Sequence, residues 1–384
     1  MPKNTKIKIQ RQKYIQEKKK KQRRKQIVVL ILLCVFAVTA LPYGCLVFLG
    51  HHAEKKAAIA YQSRSCSGAV VSFGSYPQTQ VTDKEVLSGL NALTLKWKYY
   101  KDCTAGEGYY GTMRQTKSMK YADAMYNGNR YRAVMIEQYR PSSVLDEGVT
   151  QTSDQDDNGY SLNTVYWFRF EPIRWYVFDE TNGMLLSEKV LDAMPFTDSF
   201  YWIDRNFSGG TDYQNEFSSL KYLYLPANLW KTSTVRHWLN HSFVNEAFSR
   251  SEKRNLKTTL RLAEGTGEDK RYGLASLTAD RAFLLSNEEL LNYFDDADPP
   301  TPGASPTDYA KCRGVFCKET DGTEFSWWWL SSPGNHSGDA VSVSVYKNLF
   351  FADGQFFSTY SLGGIRCSIR LSSAQIEKIK MQQK

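Results

Sequence analysis

Histidine is scarce in this chain, with five in 384 residues, and no Cys-x-x-Cys pair occurs. The second absence removes the sequence signatures of a zinc ribbon and of a thioredoxin-like redox site. Gly-x-Ser-x-Gly and the P-loop pattern are missing as well, so neither a nucleophile elbow nor that phosphate cradle is indicated. No internal repeat is found. Net positive charge is lacking from most of the chain, despite a net charge of +9. Residues 1–26 hold twelve Lys/Arg against Glu17 alone, a net of +11, so residues 27–384 sum to −2. A basic protein prompts a nucleic-acid reading, but here the charge sits in one short tail, so the main domain is expected to bind no nucleic acid. Hydrophobic residues (42%) and aromatics (14%) are ample for a packed core. The length allows one large or two ordinary domains.

Ile27 to Leu49 is an uncharged run of 23 residues directly after that tail. A helix of this length spans about 30 Å of hydrocarbon, with Pro42 as a local kink. The positive-inside rule places residues 1–26 in the cytoplasm and everything after residue 50 outside. The alternative is a cleaved signal peptide ending at Val38-Thr39-Ala40, but the basic region is long and the apolar run exceeds the usual ~7–15 residues. Cys45 lacks the residue pattern of a lipoprotein box. The expected organisation is therefore a basic tail (1–26), a transmembrane helix (27–49), a stalk (50–65), an extracytoplasmic domain (66–373) and a basic C-terminal tail (374–384). The tail and helix make membrane lipids an expected partner, each Lys/Arg near an anionic leaflet contributing roughly 1 kcal/mol.

Five of the seven cysteines lie outside the apolar run: Cys66, Cys103, Cys312, Cys317 and Cys367. Cys66–Cys103 and Cys312–Cys317 are local candidates for bridges, and the odd number leaves at least one thiol over. Along the chain, Gly68 to Gly74 reads as a strand followed by a turn at Ser75-Tyr76-Pro77. Residues 83–97 have helical spacing, and 98–163 read as irregular strands and loops. Residues 166–178 alternate as a half-buried strand pair, and Asp179–Gly183 turns them into Met184–Ser187. Ser233-Thr234 is an N-cap signal before an amphipathic helix that begins at Val235 and continues through Phe243 and Phe248. Arg281–Ser286 is a short strand and Asn287–Phe294 a short helix, followed by a Pro-rich loop.

These pieces in this order resemble a bacterial domain family of unknown function, DUF6273. The resemblance rests on Phe73-Gly74-Ser75-Tyr76-Pro77-Gln78, Pro172-Ile173-Arg174-Trp175 and Leu185 to Asp192. It continues in Ser233-Thr234-Val235-Arg236-His237-Trp238-Leu239-Asn240, Trp328-Trp329-Leu330, Ser332-Pro333-Gly334 and Gly364-Ile365-Arg366. It covers about residues 68–373. This chain departs from the family in having Ser331 where Arg is usual, and Cys367-Ser368 where Pro-Ala is usual. The ending also resembles the C-type lectin-like fold and its formylglycine-generating branch. The implied architecture is α+β, a mixed C-type-lectin-like domain behind one membrane helix.

The chemistry is less legible. Alternation along Trp327-Trp328-Trp329 puts at least one ring opposite its neighbours, so Trp327 or Trp329 is expected at the surface beside the loop Asn335–Asp339. Trp327, Trp329, Asn335, His336, Asp339 and Arg366 are the candidate ligand-binding residues. Neither Glu-Pro-Asn nor Gln-Pro-Asp occurs, which disfavours calcium-dependent sugar binding. Asp154-x-Asp156-x-Asn158-Gly159 begins like an EF-hand loop but has Val165 at the twelfth position, and reads as a solvated acidic turn. His237 and His241 stand four apart on one helix, but Trp238 occupies the place of the zincin Glu, and no zinc site is expected. Asn206, Asn240 and Asn335 stand in Asn-x-Ser sequons, which carry no implication of glycosylation in a bacterial host. No cofactor is expected. The leading expectation is a non-catalytic envelope module that binds a glycan or protein. The alternatives are a Cys-dependent oxidase of the formylglycine-generating kind and a structural module with a lipid-binding tail.

Overall fold

The computed structural model describes residues 69–100, 118–140, 153–197, 228–263, 276–294, 304–320, 322–334, 339–343, 355–358 and 362–383. The tail, the apolar run, the stalk, Cys66, Cys103, Asn206, Asn335 and His336 lie outside these residues. Among the described residues no helix is long and apolar enough to cross a membrane. Ser65–Lys384 forms one compact unit.

The unit is mixed α+β. Strand β1 (Val70–Gln80) leads into helix α1 (Lys84–Asn91), whose first turn is capped by the Asp83 side chain. Then come β2 (Lys98–Tyr99), β3 (Met119–Tyr126) and β4 (Asn129–Ile136), the short helix α2 (Asp154–Asp157), and the long β5 (Val165–Asp179). β6 (Met184–Ser187) and β7 (Asp192–Met194) precede the helical stretch α3 (Thr234–Trp238), a π-helical turn (Leu239–Phe243) and α4 (Val244–Ala247). α5 (Arg250–Asn255), β8 (Thr259–Ala263), β9 (Ser276–Asp280), β10 (Ala282–Phe283), α6 (Asn287–Tyr293) and α7 (Asp308–Arg313) follow. The end holds β11 (Lys318–Thr320), β12 (Thr323–Phe325), β13 (Trp328–Pro333), β14 (Asp339–Val343), β15 (Gln355–Ser358), β16 (Gly363–Ile365), β17 (Ser368–Arg370) and α8 (Ser373–Gln382).

β5 organises the larger sheet, of order β10-β17-β6-β5-β4-β3-β2. One edge of β5 is paired with β1 from Phe168 to Tyr176. Its other edge is shared, with β4 on Val165–Arg169 and β6 on Trp175–Asp179. A second sheet, β15-β14-β13-β16-β7, contains the parallel pair β13–β16. The main core holds Trp175, Phe168, Trp328, Trp329, Leu185 and Ile369, and α1 closes a smaller cluster around Leu90, Tyr131 and Trp167.

Several expectations change. The expected turn at Ser75–Pro77 is strand, paired with Phe170–Pro172, and the bulge lies just before it between Ser72 and Ser75, where Gly74 takes φ +73°, a conformation that favours glycine. The strand pair expected at 166–178 is one continuous strand, because β1 supports it along most of its length. The segment 98–163 contains a regular hairpin, β3–β4, paired over eight positions. The acidic turn is a helix whose Asp154 and Gln155 are buried, Gln155 donating to the Cys312 carbonyl at 2.7 Å. The basic C-terminal tail has a partner: α8 buries Ile376 and Ile379, and Lys380 pairs with Glu180 at 2.7 Å.

Among the described residues no strand lies beside the outer edge of β1, and an open edge invites pairing with other chains. Side chains blunt it. Gln383 bonds both the N–H and the C=O of Ser72, Glu252 accepts from Gly74 N, and Asp308 accepts from Gln80 N, at 3.0–3.1 Å.

Candidate functional site

The fork in β5 creates an opening. β4 leaves the shared edge at Arg169 and β6 joins it at Trp175, so among the described residues no strand pairs with Phe170–Arg174 on that side. Pro172 explains the gap locally, since it has no N–H to give a ladder. Gln78 reaches in from β1 and donates to the carbonyls of Glu171 and Pro172, both at 3.0 Å. The result is a groove of about 550 Å³, lined by Gln78, Asn129, Arg169, Glu171, Arg174, Glu188 and Lys189 among others. Arg174 and Glu188 pair at 2.6 Å, Thr79 donates to Glu171 at 2.7 Å, and Arg169 donates to Asn129 at 3.0 Å. The Phe170 ring is covered by the Arg130 guanidinium, 3.8 Å from its centroid. The walls therefore offer planar donors and acceptors rather than an aromatic platform. Such walls suit hydroxyls, amides and carboxylates.

Beneath this opening lies a buried polar network. Arg132 is on the core face of β4 beside Val134 and Ile136, and is 2% exposed. It binds Asp123, its cross-strand partner, at 2.7 and 3.0 Å, and also Glu246 of α4 and the Tyr309 hydroxyl. Tyr309 and Tyr100 share a hydrogen bond of 2.9 Å. Asp192 accepts from Tyr76 at 2.7 Å and from Arg313 at 2.8 Å. Burial pushes the Tyr76, Tyr100 and Tyr309 hydroxyls up, so they stay protonated donors. Burial also pushes the Glu246 carboxyl up, more than the Arg132 charge beside it pulls it down. For Asp123 burial acts upward too, but Arg132 and Arg130 outweigh it and hold the carboxyl below the usual range. Buried charges that are paired in this way tie elements together.

The sequence-based site residues do not assemble. Trp327 and Trp329 are both buried, at 2% and 0% exposed, which corrects the expectation of a surface ring. The strand does alternate, but it has core on both faces: the two rings pack edge to face at 4.8 Å over Gly363, while Trp328 lies under Arg366. A Cβ at Gly363 would collide with both rings. Trp329 donates to the Met194 carbonyl at 3.1 Å. Arg366 is buried, donates to the Ser187 carbonyl at 2.8 Å, and has its pKa pushed down to about 10 by burial, against the Glu188 charge. It is a closure for the sheet rather than a surface contact. Asp339 begins β14 and its carbonyl accepts from Gly334 and Asn228. Among the described residues no group of three or more His, Cys, Asp or Glu is placed to hold a metal.

The Cys312–Cys317 bridge is not formed. Cys312 is buried in α7, and Cys317 is a half-buried free thiol beyond its end. Burial pushes the Cys317 thiol up to about 12 and raises Cys367, also a free thiol, further. A nucleophilic cysteine needs the opposite shift.

The motif Ser233 to Asn240 is likewise spent on architecture. Ser233 caps α3, Arg236 and Asn240 bind Asp280 of β9 at 2.8 and 3.3 Å, and Trp230 donates to the same carboxylate at 3.0 Å. Asn240 also accepts from Arg281 N at 2.7 Å. A sequence reading misses the groove because its walls come from four separate segments, and only Pro172 within an otherwise good strand pattern hints at it.

The structure thus defines a mixed α+β domain with two large sheets, two further two-stranded sheets and a polar groove at a strand fork. Residues 219–372 match the family described as a domain of unknown function (DUF6273). The groove-lining segments around Gln78, Arg174 and Glu188 precede the matched residues. No curated protein and no solved structure matches the chain.

Proposed function

We propose that this chain is a membrane-anchored, extracytoplasmic binding module of a bacterial cell envelope, which holds a glycan or a protein segment in the β5 groove without chemical change. The observation that carries the reading is the groove itself. It offers paired charges and amides, held at fixed positions by β1 and β5, with enough volume for a small sugar or a few residues of peptide. The anchor reading rests on the apolar run 27–49 and the basic tail before it. A C-type-lectin-like relation is the finer reading of the α+β domain and rests on the sequence pattern of its last strands. The test is binding of the full chain, in detergent or nanodiscs, to a glycan array and to envelope fractions. Wild type should retain a ligand that Arg174→Ala/Lys189→Ala loses. No retained ligand at high protein concentration, or equal retention by the variant, refutes the groove as the site.

A further inference from the structure

Charge is not spread evenly along the β5 groove. At the β4 end Arg169 donates to Asn129 at 3.0 Å and Glu171 accepts from Thr79 at 2.7 Å, so one cation and one carboxylate stand among neutral amides and a hydroxyl. The β6 end has a different balance. Arg174 holds Glu188 bidentately, at 2.6 and 3.2 Å, and each cancels the charge of the other. Lys189, the next residue, is exposed and pairs with no carboxylate among the described residues. Its main chain is fixed by the Ser187 hydroxyl, which donates to the Lys189 carbonyl at 3.0 Å. Arg366 adds a charge from the interior. Its Nε donates to the Ser187 carbonyl at 2.8 Å, and among the described residues no carboxylate pairs with it directly. Its pKa of about 10 keeps the guanidinium charged at neutral pH, and Glu188 is the carboxylate that acts on it. Around the turn Ser187–Lys189, Glu188 therefore faces Arg174, Lys189 and Arg366, and two positive charges are left over.

We propose that the groove takes a ligand bearing a carboxylate, seated at the β6 end beside Lys189 and Arg174, with hydroxyl or amide groups lying toward Gln78, Asn129 and Glu171. The inference rests on the groove being the binding site and adds the charge and direction of what it holds. A carboxylate compensates the surplus that Lys189 and Arg366 create, and its hydrogen bonds to cations are stronger than those of a neutral group. Its shape fits as well, because Arg174 already holds one planar carboxylate, that of Glu188, through its guanidinium fork. The β4 end has no such surplus, and its donors and acceptors suit the uncharged part of the ligand. The carboxylate can come from an acidic sugar or from the end of a short peptide.

The test uses the full chain in detergent and two matched pairs of probes. One pair is N-acetyl-alanyl-alanine and its terminal amide, the other glucuronate and its methyl ester. Acetylation of Lys189 by acetic anhydride is mapped by peptide mass with and without each probe, with Lys84, exposed and outside the groove lining, as the internal control. An acid form should protect Lys189 and not Lys84, and its neutral partner should need about tenfold more for the same protection, the loss of a hydrogen bond to a charged group. Whichever acid protects identifies the source as peptide or sugar. Measured by calorimetry, Lys189→Gln should weaken binding of that acid by a similar factor, and Lys189→Arg should keep it. Equal protection by acid and neutral forms overturns the carboxylate assignment and leaves the groove as the site, as does equal protection by inorganic phosphate. Protection of Lys189 by none of the probes overturns the assignment too. The groove itself is then judged separately, by whether an envelope ligand retained by the wild type is lost in Arg174→Ala/Lys189→Ala. The protection measurement needs no substitution and stands even where a variant fails to fold.

Discussion

Replacing Arg132 by Met should be among the most damaging single changes in the described domain, for an electrostatic rather than a packing reason. Met keeps much of the apolar stem but removes the guanidinium from two carboxylates and a tyrosine hydroxyl. Asp123 keeps Arg130 at 2.7 Å. Glu246 is left without its arginine in a largely buried setting. Breaking a buried pair by removing one partner costs about 3–5 kcal/mol, and urea unfolding of the unit Ser65–Lys384 at pH 7 should show a loss of that size. The pH dependence follows from Glu246, whose folded pKa lies above the unfolded value. Such a group favours folding below the unfolded pKa and loses that contribution as pH rises through the folded pKa. Without Arg132 the folded pKa rises further, so the deficit of the variant should shrink toward pH 5. Adding Glu246→Gln should recover about 1–3 kcal/mol at pH 7 by removing the stranded charge. A loss below about 1 kcal/mol in the single variant would show that the network contributes nothing net. A deficit independent of pH would refute the role assigned to Glu246.

Other outcomes follow from the same structure. Trp327→Ala should cost about 3–5 kcal/mol in urea unfolding, and an undiminished stability would restore it as a surface residue. Gly363→Ala should disrupt the Trp327–Trp329 packing and lower the thermal midpoint, whereas Gly128→Ala, with open space around its Cβ position but φ +76°, should act only through backbone strain. Iodoacetamide at pH 8 should leave Cys317 and Cys367 unmodified in the native protein and label both after unfolding, read by peptide mass; rapid native labelling of Cys367 would revive the thiol-oxidase reading. Arg174→Ala should leave stability within about 0.5 kcal/mol, because its pair with Glu188 is solvent-exposed.

Local features were legible in the chain itself. The Ser233 cap was readable because the capping interaction is confined to a single turn, and its side chain accepts from Arg236 N, three residues on. The hairpin at Asp179–Gly183 was readable because Asp179 holds Asn182 and Gly183 takes φ +68°, all within five residues. The mixed α+β class was what the family resemblance implied. The fate of the three tryptophans was not readable. Alternation states that neighbours face opposite ways, but only the packing of Gly363, Phe196 and Arg366 around β13 makes both faces interior. The cysteines repeat the lesson, since five-residue spacing permits a bridge that the end of α7 at the left-handed Gly314 does not make. The groove depends on strands β1, β4, β5 and β6 meeting unequally along one long strand, with Gln78 more than ninety positions from the carbonyls it holds. Sequence by itself determined a helix cap and a hairpin turn, because those forces act within a turn. Tertiary structure alone decided which side chains are interior and where the surface opens, because those depend on pairing between residues far apart in the chain.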